Sequence, residues 1–190
     1  MQPNREQAME LLKEFTKSDS LIKHALAVEA AMRAYARKYG EDEEKWGVVG
    51  LIHDFDYEQN PTWDKHVYVG TEILRQRGWP EDIIRGVAAH ASYMNISPKN
   101  LMEKTIWAVD ELTGFISAVA LVRPSKSVMD VQASSVRKKM KDKAFARAVN
   151  REDIVNGAQE LGIDLNEHID FVIKAMQGIA GELGLDGSAA

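Results

Sequence analysis

Residues 18–40 read SDSLIKHALAVEAAMRAYARKYG. Leu21, Ala25, Val28, Met32, Tyr35 and Tyr39 recur there at steps of 4, 3, 4, 3 and 4, the spacing that places them all on one side of an α-helix. Serine and aspartate at the start can accept hydrogen bonds from the free N–H groups of a first turn, and Gly40 stands where a helix stops. The stretch predicts an amphipathic helix with one inward stripe. His24 follows Leu21 by three residues and precedes Val28 by four, so an imidazole belongs to that stripe.

The same periodicity returns along the chain. It predicts helices over 42–54, over 63–77 before Gly78, and over 80–92 after Pro80. Ser97-Pro98 supplies a cap and a first-turn proline for a long helix that Pro124 must end. Further helices are expected over 128–149 and, capped by Asn150, over 150–162, and Asp164-Leu165-Asn166-Glu167 resembles a capping box before a last one. No segment of useful length alternates with period two. The expected fold is all-α, a helical bundle without significant sheet.

With 190 residues, 45% of them hydrophobic, the chain suffices for one core and hardly for two. We expect a single domain over 1–190, with a core at 18–124, helices over 125–185 completing it and a frayed tail at 186–190. Lys and Arg number 24 against 29 Asp and Glu, a net charge of −5, so no overall basic field gathers nucleic acid or anionic membrane. The one basic stretch, RKKMKDKAFARAVNR at 137–151, has seven Lys or Arg against one Asp; it is a solvated face or a phosphate-facing patch. The absence of cysteine removes disulfides, thiolate nucleophiles and zinc–thiolate sites. The start of the chain lacks the apolar core of a signal peptide, and LTGFISAVALV at 112–122 falls short of the roughly 20 residues that span a bilayer. A cytoplasmic protein is expected.

Three further histidines face inward on the predicted helices. His53 follows Val49 by four, His66 shares a face with Gly70 and Ile73, and His90 shares one with Val87 and Ile83. Any single one is explained by a core histidine bonded to a neighbour. Four together raise the burial penalty unless they share a partner, and a metal ion is such a partner. Asp54 beside His53 and Asp110 on the apolar face of its helix complete the set, since a buried, unpaired carboxylate is strongly unfavourable. Glu111 next to it either supports the set or faces solvent. Four imidazoles and two carboxylates suit a divalent transition metal (manganese, iron, zinc, cobalt or nickel) better than calcium. Two ions bridged by Asp54 would use all six.

The ordered set His24, His53-Asp54, His66, His90 and Asp110, with LIHD, HVYVGTEIL and VAAHASY around it, resembles the HD superfamily of metal-dependent phosphohydrolases, in particular its HDIG-type branch, over roughly residues 20–115. The resemblance implies an all-helical fold and a first metal site at His24, His53, Asp54 and Asp110. It implies a bridging role for Asp54, additional ligands at His66 and His90, and His53 and Asp54 as the catalytic pair. His168 matches no family position and is left as a surface or core residue. The chain departs from the family after the doublet, reading His53-Asp54-Phe55-Asp56-Tyr57 where relatives carry glycine and lysine. Asp56 is either a neighbour of the metal shell or a loop-capping aspartate.

The implied function is hydrolysis of a phosphate ester or anhydride, in a nucleotide or another small phosphorylated metabolite. Lys65, Arg123, Lys126, Lys138, Lys139, Arg147 and Arg151 are the candidate phosphate-binding cations. The same ligand set serves a di-iron oxygenase of this fold, and a non-enzymatic nucleotide-binding regulatory module is a third reading. The segment 125–185 leaves a homo-oligomer open.

Overall fold

A computed structural model describes residues 2–188. Its elements are α1 (Arg5–Phe15), α2 (Asp19–Tyr39), α3 (Glu43–Ile52), α4 (Tyr68–Gln76), α5 (Glu81–Ala88), α6 (Leu101–Leu121), α7 (Ala133–Met140), α8 (Arg151–Glu160), α9 (Leu165–Gln177) and α10 (Ala180–Leu183). No strand occurs among the described residues; Ser127 and Asp186 form an isolated bridge. The all-α class is as the periodicity predicts. No described helix is long and apolar enough to cross a membrane.

The caps match the expected ones only in part, since Ser18 makes no side-chain cap bond to α2 and the long helix starts after Asn100 instead of at Ser97-Pro98. Gly40 ends α2 in the left-handed region at φ 70°, which a residue without Cβ adopts without strain. Asp42, Asn100 and Asp164 accept from backbone N–H groups in the first turns of α3, α6 and α9. α1 was not anticipated. Its sign is Asn4-x-x-Gln7, whose side chains and backbone exchange two hydrogen bonds as a capping box.

α2 and α6 are the central pair, and α3, α5, α8 and α9 pack around them. One continuous core runs from Ala8 to Leu185, with Met32, Tyr35, Ile52, Phe55, Ile106, Phe115 and Met176 fully inside. Two glycines set the spacing. A Cβ on Gly157 would stand 2.6 Å from Cα of Ala108, so α8 approaches α6 more closely than a side chain permits, and one on Gly50 would stand 3.0 Å from the Glu29 backbone, a tight approach of α3 to α2.

Several expected boundaries shift. The helix expected over 63–77 begins at Tyr68, because Val67 takes φ 67° and ends the preceding turns. His66 therefore lies in a turn rather than on a helix face. Of the 128–149 segment, Val128–Asp130 is a 3₁₀ turn, α7 covers Ala133–Met140, and residues 141–149 are turns. Arg151 donates to the carbonyls of Ala146 and Val149 in these turns and lies over the Phe115 ring. Of the expected tail, Asp186 pairs with Ser127 while Val128 N–H bonds Leu185 C=O; Ala189 and Ala190 lie outside the described residues.

Candidate metal centre

His53 and Asp54 sit where α3 ends. The carbonyl of Gly50, freed by the end of the helix, accepts from Nδ1 of His53 at 2.8 Å, which fixes the tautomer and turns the Nε2 lone pair outward. His90 repeats the device one turn past α5, where Nδ1 donates to Val87 O at 2.6 Å. His66 uses a carboxylate instead, donating from Nδ1 to Oδ1 of Asp56 at 3.1 Å. Val67 beside it is a buried β-branched residue at positive φ, a conformation that persists only where the surroundings enforce it.

The Nε2 atoms converge. Nε2 of His53 lies 3.3 Å from Nε2 of His24, and 3.4 Å from Oδ1 of Asp110, which is itself 3.0 Å from Nε2 of His24. Nε2 of His66 lies 3.3 Å from Nε2 of His90. Asp54 stands between the two groups. Its Oδ1 is 2.9 Å from His66 and 3.2 Å from His90, and its Oδ2 is 3.5 Å from His53 and 3.9 Å from His24. Two groups with ligand atoms within 4.8 Å result, His24–His53–Asp54–Asp110 and Asp54–His66–His90.

Metal–nitrogen bonds of about 2.0–2.1 Å place ligand atoms roughly 3.3 Å apart around a tetrahedral ion. The nitrogen pairs have that separation. Where Nδ1–H bonds fix both tautomers, as in neutral His66 and His90, the two Nε2 lone pairs face each other and repel unless a proton or a metal ion stands between them. The residues present thus fit a divalent metal in each group, and HD domains bind such metals.

The charges agree. Burial opposes protonation of His53, but the Asp54 and Asp110 carboxylates outweigh it and raise its pKa to about 9. In His66 burial is likewise overcome by Asp54 and Asp56, again to about 9. Burial would raise Asp54 and Asp110, yet the imidazoles hold both well below the usual carboxylate range. The cluster attracts positive charge.

A cavity of about 510 Å³ opens over the cluster, lined also by Tyr57, Tyr93, Glu111, Gly114, Asn150 and Asp153. Glu111, for which the sequence left two readings, forms its wall and accepts from the backbone N–H of Asn150 at 3.1 Å. Burial and the neighbouring Asp110 raise its pKa to about 7. Tyr57, Tyr93 and Asp153 escaped the sequence reading, for nothing in their spacing separates them from ordinary surface or core residues. The Tyr93 hydroxyl is buried and has no hydrogen-bond partner among the described residues.

Of the candidate cations, Lys65, Arg123, Lys126, Lys138, Lys139, Arg147 and Arg151, none lines this cavity. Lys65 and Arg147 are exposed, each adjoining a lining residue in sequence, His66 and Ala148. Lys139 lies over the Phe145 ring. His168 is a core residue, whose Nε2 donates to Ala108 O at 2.9 Å and whose Nδ1 accepts from the Tyr35 hydroxyl at 2.6 Å.

The model of the HD domain family matches residues 21–114, from the first turns of α2 to one turn past Asp110. Among curated proteins, the chain is 24% identical over 143 residues to a ribonuclease Y of Oleidesulfovibrio alaskensis, an overlap covering 75% of this chain and 24% of that protein. It is 30% identical over 102 residues, 51% of this chain and 18% of the other, to ribonucleases Y from two strains of Nitratidesulfovibrio vulgaris. The chain spans about a quarter or less of the length of these relatives. No solved structure matches. The segment that carries the clustered histidines and aspartates is a domain of the HD superfamily of metal-dependent phosphohydrolases.

Proposed function

We propose that the chain hydrolyses a phosphate ester or anhydride of a nucleotide or another small phosphorylated molecule, using two divalent ions. His24, His53, Asp54 and Asp110 would hold one and Asp54, His66 and His90 the other. The observation that carries this reading is the position of Asp54, whose two oxygens face two different groups of imidazoles. Such ions, when bound, supply Lewis acidity that lowers the pKa of water to about 7 and neutralises phosphate oxygens.

The protein's own residues do the rest. Gly50, Val87 and Asp56 hold three imidazoles in the tautomer that leaves Nε2 free to ligate. Asp54, Asp110, Glu111 and Asp153 line the cavity without a lysine or arginine to offset them, so an anionic substrate depends on the ions for neutralisation. That dependence, with the net charge of −5, favours a small substrate over a long polyanion such as the RNA for which the similar ribonucleases Y are named.

The test is protein purified without added metal, analysed for its ions, then screened against nucleotides and generic phosphoesters with and without oxygen. Metal-dependent turnover that persists anaerobically is expected. Turnover only with oxygen consumption and bound iron would establish an oxygenase instead, and no turnover with any ion would favour a regulatory binding module. His53→Ala should lose metal and activity together.

A further inference from the structure

Beside the cavity over the metal centre lies another, bounded in common by His24 and Gly114. This second cavity, of about 480 Å³, is lined chiefly by apolar surface. Asp110, Gly114, Ala118 and Leu121 follow one another on α6 at helical steps, so a single stripe leads from a carboxylate of the centre into this groove. Lys23 of α2 lies on one side, and Leu183 and Leu185 on another.

Gly114, common to the two cavities, carries no side chain. A Cβ on Gly114 would lie 4.0 Å from the His24 ring and within 4 Å of nothing else, so a larger side chain there would project into the junction. At the far end Leu121 is 55% exposed. Gly114 to Leu121 spans about 10 Å along the helix axis, the length of a short hydrocarbon chain. The ammonium of Lys23, the one lysine or arginine lining either cavity, is paired with Asp19 at 2.7 Å. The groove therefore offers apolar contact and little free charge, while the carboxylates Glu111 and Asp153 border the other side of the centre.

We infer that the groove beyond Gly114 receives the alcohol part of the substrate, which is a phosphate monoester of an apolar primary alcohol seated with its phosphate at the His/Asp cluster. This rests on the phosphohydrolase reading for its chemistry. Water adds to phosphorus, the phosphorus–oxygen bond to the alcohol breaks, and the departing oxygen takes a proton, leaving inorganic phosphate and the alcohol with no redox change. Apolar groups gain affinity in proportion to the area they withdraw from water.

The test compares alkylphosphonates, which cannot be hydrolysed, on the full chain loaded with manganese. By titration calorimetry hexylphosphonate should bind at least about tenfold tighter than ethylphosphonate, since four further methylenes are buried. A 2-phenylethylphosphonate arm distinguishes an aromatic from an aliphatic alcohol, and either one exceeding ethyl supports the groove. Gly114→Leu should bring the hexyl-to-ethyl ratio close to one. Leu121→Asp, at the exposed end of α6, should lower the same ratio if the first variant folds poorly. Equal affinity for all three phosphonates in the unmodified protein would overturn the inference. Hexyl phosphate separates the two claims: tight hexylphosphonate binding without hydrolysis of this ester leaves the groove standing and removes the hydrolase reading.

Discussion

All five histidines of this chain have their place in the described structure, and His168 behaves oppositely to the four at the cluster. His168 is fully buried, with both ring nitrogens satisfied by neutral groups, the Tyr35 hydroxyl and the Ala108 carbonyl. Burial there, offset only in part by the Ala108 bond, lowers its pKa to about 4. His53 is as deeply buried, yet the carboxylates facing it raise its pKa to about 9. Burial alone does not distinguish a structural imidazole from a proposed metal ligand. What differs is the second nitrogen: in His168 it meets a donor, and in the cluster it meets another lone pair or a carboxylate.

Breaking the cluster at its shared residue has the largest expected effect. Asp54→Ala removes an oxygen from both groups, so metal analysis should find both ions lost and any metal-dependent activity with them; one ion retained at full occupancy would contradict the bridging role. Next is the acid response of His168. The unfolded residue titrates near 6.5 and the folded one near 4, so the unfolded chain takes the proton first. Its contribution is fully present above pH 6.5 and is lost as pH falls toward 4, about 3 kcal/mol in all. Denaturant unfolding of the metal-free protein across that range should show this loss, and His168→Leu should lack it.

Asp56→Ala tests the support beneath one ligand. It releases Nδ1 of His66 and should weaken binding at the Asp54–His66–His90 group by about 10–100-fold, with the affinity of the other group unchanged, as two-site metal titration would reveal. Asp56→Asn, which keeps an acceptor oxygen, should recover part of the loss. At neutral pH His168→Leu should cost about 1–3 kcal/mol by leaving the Tyr35 hydroxyl and the Ala108 carbonyl unpaired, while the metal content of the purified protein stays the same. A fall in metal content would erase the contrast between the two kinds of histidine.

Much of this was legible in the chain. The inward stripe of α2, the cap at Asp164 and the stop at Gly40 follow from local periodicity and hydrogen-bonding capacity. Elsewhere the local signal misled. His66 reads as part of a helix because Gly70 and Ile73 continue its spacing, but the backbone turns at Val67, where packing against Ala88 and Ala91 overrides propensity. The turns over 141–149 likewise depend on Arg151, which lies over the ring of Phe115, a distant partner that no short window contains. The basic run there suggested phosphate contacts, yet a charge pattern does not say which way a segment faces.

The sequence by itself determined the helical class, the chain positions at which imidazoles and carboxylates enter the core, and the superfamily their order marks. These depend on spacing along one chain, and helix geometry converts spacing directly into direction. Only the tertiary structure decided that Asp54 presents one oxygen to each group, that Asp56 supports His66, that Glu111 and Asp153 border the cavity, and that Gly114 lines both it and the groove that holds Leu121. Each of these depends on distances between segments that only packing brings together. Those distances are set by close packing at places such as Gly50 against Glu29 and Gly157 against Ala108.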